Sequence, residues 1–214
     1  ETVKTGISNK EYKKRMSELQ KMMASTASRL KESRHSMVVV FEGLDASGKS
    51  GCIRRLTREL DMKQFRVVPI SKPTEEEYKY HYLRRFWLEL PEYGNIVFFD
   101  RSWYGRVLVE RIEGFAKNEE WMRAYREIND FEKMLTDDGT VLLKLWFDVS
   151  ADEQLRRFKK RMDVPEKAHK ITDEDWHPLF CEALDRKDFI DYLLVFRINL
   201  TFNKYMHSSR ITDF

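Results

Sequence analysis

The sequence predicts an α/β fold: a three-layer sandwich in which a parallel sheet lies between helices, with a helical lid. Two observations predict it. Short apolar runs at 37–41, 65–70, 95–99 and 141–147 alternate with stretches of helical character, the pattern of strand–helix–strand units. Directly behind the first run stands Gly43-Leu44-Asp45-Ala46-Ser47-Gly48-Lys49-Ser50, which satisfies G-x-x-x-x-G-K-[ST] in the context of buried strand, glycine turn and helix start. Together they give the phosphate-loop (P-loop) NTPase fold, with the site expected at the carboxyl ends of the strands.

The elements follow in order. Residues 8–31 are polar and rich in Lys and Glu, with apolar marks at Tyr12, Met16, Leu19 and Met23, and read as an outer helix packed on the domain or on a partner. The first strand is 37–41. After the glycine loop, 52–60 carries apolar residues at helical spacing. A short strand at 65–70 precedes an expected helix over 75–89, which ends before Pro91. The third strand, 95–99, follows Gly94 and closes on Asp100. Residues 119–135 read as a helix and 141–147 as the fourth strand.

Composition restricts the function classes. In 214 residues, 42% are apolar and 35% charged, with only 8 Gly and 5 Pro, which argues for a helix-rich globular chain and against disorder. A net charge of +3 is too small to indicate nucleic-acid binding. The two cysteines, Cys52 and Cys181, lie far apart and read as reduced thiols of a cytoplasmic protein. No apolar run approaches the roughly 20 residues of a membrane span, and no signal peptide is read.

The loop commits the chain to phosphoryl chemistry. Backbone N–H groups of Gly43, Ala46, Ser47 and Gly48 are expected around phosphate oxygens, Lys49 at the terminal phosphates and the Ser50 hydroxyl on Mg²⁺. The helix N-terminus adds its positive dipole end. Asp100, at the end of an apolar strand, stands where Mg²⁺ coordination is needed, although a helix cap would use the same residue type. Arg101 and Arg106 flank the pair Trp103-Tyr104 and suit charge neutralisation during transfer. Asp45 could hold Mg²⁺, orient a phosphate or close the turn on itself. The cationic run 156–161, with Arg157 and Arg161, continues to Lys167 and Lys170. It reads either as a solvated helix face or as a lid over a polyanion. Arg54, Arg55 and Arg58 add positive charge after the loop. The five histidines have no partner spacing and read as structural or surface residues.

Several strings together carry a family resemblance. They are Phe41-Glu42-Gly43-Leu44-Asp45-Ala46-Ser47-Gly48-Lys49, Lys72-Pro73-Thr74, Arg85-Phe86-Trp87 with Leu90-Pro91, Asp100-Arg101-Ser102-Trp103-Tyr104-Gly105-Arg106, Val109-Glu110-Arg111 with Gly114-Phe115, and Lys144-Leu145-Trp146 followed by Glu153-Gln154-Leu155-Arg156-Arg157-Phe158. Over about residues 11–175 the chain resembles the family-2 polyphosphate kinases, phosphotransferases of the thymidylate-kinase-like branch of P-loop folds. The resemblance implies a Mg²⁺-dependent, reversible transfer (with Mn²⁺ as a substitute) of a terminal phosphoryl group between inorganic polyphosphate and an adenine or guanine nucleoside mono- or diphosphate. It implies Asp45 and Asp100 as metal carboxylates, and Lys49, Arg101 and Arg106 beside them as catalytic residues. Arg157, Arg161 and Lys170 become lid cations on a polyphosphate channel. It also implies homo-oligomers, dimers or tetramers. Residues 1–36 then form an N-terminal helical extension and 37–214 the kinase domain, with the lid at about 155–175. Gly105 and His169 depart from the family's usual Asn and Trp, and the tail after Asp175 lacks its Pro-Trp and Asn-Asp strings. An ATP-dependent nucleoside monophosphate kinase of thymidylate-kinase type is the alternative from the same loop and Asp-Arg string. A non-catalytic phosphate-binding module is a third reading, which the retained carboxylates and lysine oppose.

Overall fold

The computed structural model describes residues 7–163. Helix α1, Asn9–Lys31, starts at Ser8, whose side chain accepts the Glu11 N–H. Arg29 and Lys31 lie in its last turn, where cations suit the helix dipole. Strand β1, Ser36–Gly43, leads through the glycine loop to α2, Lys49–Leu56. Then come β2, Phe65–Pro69, the short α3, Arg84–Trp87, and β3, Ile96–Asp100. A 3₁₀ turn at Trp103–Val107 and the short α4, Val109–Ile112, precede α5, Asn118–Asp137. Strand β4, Thr140–Phe147, and α6, Ala151–Met162, close the described chain. No helix among the described residues is long and apolar enough to cross a membrane.

The four strands form one parallel sheet in the order β2-β3-β1-β4. All-parallel sheets are covered on both faces. On β1 and β3, Val38, Val39, Val40, Phe41 and Ile96 to Phe99 are accordingly all buried.

Two corrections concern helices. The expected helix over 75–89 is two short turns, a 3₁₀ turn at Glu77–Lys79 and α3, separated by extended backbone at Tyr80. Thr74 and Glu77 cap one another, the Thr74 N–H on Glu77 at 2.7 Å and the Glu77 N–H on Thr74 Oγ1 at 3.2 Å, so the first turn is complete in itself. Only Tyr82, Leu83 and Phe86 are buried, too few for a continuous apolar stripe. The helix expected at 52–60 stops at Leu56, where Thr57 directs its hydroxyl back to the Ile53 carbonyl (3.0 Å).

The chain divides into two units. The first comprises residues 7–43, 48–102 and 135–147. Its core joins Ala27 and Leu30 of α1 to Val39, Phe41, Ile96 and Phe98 of the sheet and Ile53 of α2. Gln20 Nε2 of α1 also donates to the Arg55 carbonyl (2.8 Å). Of the four apolar marks on this helix, Met16 and Met23 are partly buried, whereas Tyr12 and Leu19 stay 44% and 55% exposed. The second unit comprises 44–47, 103–134 and 148–163. In it α5 buries Ala124, Ile128 and Phe131, and the Trp103 ring meets Phe131 edge-on at 4.9 Å.

Candidate active site

In the first unit, β1 brings Glu42 and Gly43 to the carboxyl edge of the sheet, and β3 brings Asp100 beside them. Gly43, with φ +126°, pairs with Phe147. A Cβ there would stand 2.0 Å from the Phe147 carbonyl oxygen, so the first loop glycine is demanded by strand packing as well as by any anion. Lys49 is only 7% exposed, and its Nζ donates to the Gly43 carbonyl at 2.7 Å, which curls the ammonium over the loop's first residue. Ser50 Oγ donates to Asp100 Oδ2 at 2.7 Å. This hydroxyl and carboxylate are the all-oxygen donors a hard cation takes, and Mg²⁺ usually adds only one or two carboxylates to waters and substrate phosphates, so the pair fits Mg²⁺.

The backbone next to Asp100 is strained. Arg101 has φ +68°, a left-handed conformation that costs a side-chain-bearing residue about 1–2 kcal/mol. Two bonds hold the segment. The Arg101 N–H donates to the Phe41 carbonyl (3.0 Å), and the Ser102 hydroxyl donates to Glu42 Oε1 (2.7 Å). Glu42 is 4% exposed. Burial raises its carboxyl above the ordinary range, opposed by the Ser102 bond and by the charges of Lys49 and Arg101.

In the second unit lie Leu44, Asp45, Ala46 and Ser47. The Ser47 N–H closes a turn on the Leu44 carbonyl (3.3 Å), and Ala46 is left-handed at φ +58°. Two side chains of α6 reach this segment: Gln154 Nε2 donates to the Asp45 carbonyl (2.9 Å), and Arg157 Nη1 donates to the carbonyls of Ala46 (2.8 Å) and Ser47 (2.9 Å). Arg157 Nε also bonds Glu153 Oε1 at 2.7 Å. Hydrogen bonds from Arg156 and then Arg157 hold the Glu153 carboxyl down at about 2. Arg161 lies over the Phe158 ring, 6.0 Å from its centre. Arg106 is buried and paired with Glu110 of α4 at 3.2 Å. Lys170 lies outside the described residues. The structure thus joins Lys49, Ser50 and Asp100 in one unit and Ala46, Ser47 and Arg157 in the other.

Four supporting residues escaped the sequence reading of the site. Glu42 had a visible signal, a carboxylate inside an apolar strand run. Glu132, 1% exposed, accepts Trp103 Nε1 (3.0 Å) and Tyr104 OH (2.6 Å), which explains the buried Trp-Tyr pair. Its signal was an acid within the apolar stripe Ala124, Ile128, Phe131, Leu135 of α5. Gln154 and Glu110 gave none beyond membership of the quoted strings, because their partners are set by tertiary structure.

A glycine loop between a parallel strand and a helix, with a strand-end carboxylate bonded to the loop serine, defines a P-loop α/β protein. Within that class the family model described as polyphosphate kinase 2 (PPK2) matches residues 6–180, and the chain belongs to this family. It is 49% identical over 165 residues to a polyphosphate:AMP phosphotransferase of Pseudomonas aeruginosa, covering 77% of this chain and 33% of the relative. It is 40% identical to a GDP-polyphosphate phosphotransferase of the same organism, covering 86% and 50%. A crystal structure of polyphosphate kinase 2 from Arthrobacter aurescens TC1 superposes with a TM-score of 0.71 at 28% identity, covering 86% of this chain and 64% of that one. The chain spans about a third to a half of the length of the two curated relatives.

Proposed function

We propose that the chain transfers the terminal phosphoryl group of inorganic polyphosphate to a nucleoside mono- or diphosphate, and back. The observation that carries the reading is the Ser50–Asp100 hydrogen bond beside Lys49, which gathers a cation-binding oxygen pair and an ammonium at the mouth of a phosphate loop. Relatives named for polyphosphate with AMP and with GDP support the donor and the acceptor class.

In this reading a nucleotide phosphate oxygen attacks the terminal phosphorus in line. One P–O bond forms as the neighbouring anhydride P–O bond breaks, with no phosphoenzyme. Lys49 and Arg101 neutralise charge on the equatorial oxygens, and the loop N–H groups hold the phosphates in position. Asp100 and Ser50 would hold Mg²⁺, which when bound supplies charge neutralisation on the phosphoryl oxygens. Arg106, which is paired with Glu110, and the cations of the run that includes Arg161 and Lys170 are the further positive charges this reading enlists for a polyanionic substrate. We infer further that the chain self-associates, on the outward apolar residues Tyr12 and Leu19 of α1.

The test is incubation with Mg²⁺, polyphosphate and AMP, ADP, GMP or GDP in turn, products being separated by chromatography. The corresponding di- or triphosphate is expected. Transfer from ATP with none from polyphosphate would overturn the reading in favour of a nucleoside monophosphate kinase.

A further inference from the structure

The carbonyl oxygens of three consecutive loop residues, Asp45, Ala46 and Ser47, all accept hydrogen bonds from two side chains one turn apart on α6, Gln154 and Arg157. A trans peptide is a rigid plane in which the carbonyl of one residue points opposite to the N–H of the next. Fixing these three carbonyls therefore holds the Ser47 N–H in its turn on the Leu44 carbonyl and fixes the directions of the N–H groups of Ala46 and Gly48. Loop N–H groups such as the last two are those from which a phosphate-binding concavity is built. The segment needs such support, since Ala46 sits in a left-handed conformation, and conformations of that cost persist only where the surroundings over-determine them.

We propose that Arg157 and Gln154 are positioning residues of the phosphate loop, and that Arg157 is not a polyphosphate-contacting lid cation. Glu153 completes the device by holding the Arg157 guanidinium from Nε, so that Nη1 meets both carbonyls. The planar fork is what permits this. A lysine ammonium at 157 is a single point on a flexible stem and cannot hold Glu153 and two carbonyls in fixed directions. The role rests on the polyphosphate reading only for the name of the ligand; the clamp itself belongs to the protein without ligand.

Two measurements on the full chain test it. Hydrogen exchange of the Ser47 amide, whose N–H is held on the Leu44 carbonyl, is expected without substrate to quicken about tenfold or more in Arg157→Ala and by less in Gln154→Ala and Arg157→Lys, since pinning bonds are lost. Lys159→Ala, an exposed cation on the same helix, is expected to leave it unchanged. Unchanged loop exchange in Arg157→Ala and Gln154→Ala would overturn the proposal. The second measurement is the dependence of polyphosphate affinity on salt. A cation in direct contact with a linear polyanion contributes about one unit to the slope of log affinity against log salt. Arg157→Ala is expected to lower affinity while keeping the wild-type slope; a slope shallower by about one unit would make Arg157 a direct contact and overturn the assignment. If the wild-type chain binds no polyphosphate, the functional reading fails while loop exchange still decides the clamp. Gln154→Ala, which removes no charge, keeps the test open should Arg157→Ala fold poorly.

Discussion

In the proposed reaction Lys49 and Asp100 handle opposite halves of one charge problem, the ammonium on the phosphoryl oxygens and the carboxylate on the metal. Lys49→Ala and Asp100→Asn are each expected to lower turnover by on the order of 10² to 10⁴ with circular dichroism unchanged, because each removes charge stabilisation realised at transfer. Near-normal turnover in either variant would contradict the mechanism. Glu42 makes a different prediction. Its carboxyl is raised above its ordinary value of 4.5 by burial, so the folded state binds the proton more tightly than the unfolded state. Below 4.5 both states hold that proton. As pH rises from 4.5 through the elevated value the unfolded state loses it first, and this residue's contribution to stability falls. Glu42→Gln keeps an acceptor for Ser102 and cannot ionise. Urea melts of the two proteins between pH 4 and 8 are therefore expected to show the Gln variant gaining on the wild type as pH rises; a pH-independent difference would show that Glu42 does not titrate in this way.

Among the elements, the 3₁₀ turn at Trp103–Val107 is tied to α5 by the Glu132 carboxylate as well as by the contact of Trp103 with Phe131. Glu132→Ala leaves the Trp103 N–H and the Tyr104 hydroxyl buried without their acceptor and is expected to cost about 2–5 kcal/mol in a denaturant melt, with Glu132→Gln costing less. What was legible in the sequence follows the same division between local and tertiary causes. All four strands were legible because each is an apolar run bounded by a turn or a polar residue, and the loop because its glycines and lysine have fixed spacing. The two short turns within 75–89 were not, since a mutual Thr74–Glu77 cap and three buried side chains do not interrupt a helical pattern in sequence. Of the site, Lys49, Ser50 and Asp100 could be found from type and position. The part of Arg157 could not: its cationic string is compatible with a solvated face, a lid or a clamp, and only the distances to Ala46 and Ser47 separate them.

For the molecule as a whole, light scattering coupled to size exclusion at several concentrations is expected to give a mass above 25.8 kDa; a monomer throughout would refute self-association and leave Tyr12 and Leu19 as ordinary exposed side chains. The sheet order has a consequence in time. β1 is a central strand, yet both its neighbours are made later: Glu42 meets Ser102 at a separation of 60 residues, and Ser36 meets Thr140 at 104. Such pairings are slow, because long loops must close before the contacts reward them. During synthesis, then, the apolar run at 37–41 and the loop that follows it leave the ribosome before either of the strands that β1 pairs with in the sheet. At about 5–20 residues per second that interval lasts several seconds, during which a segment that ends up fully buried from Val38 to Phe41 is open to wrong partners.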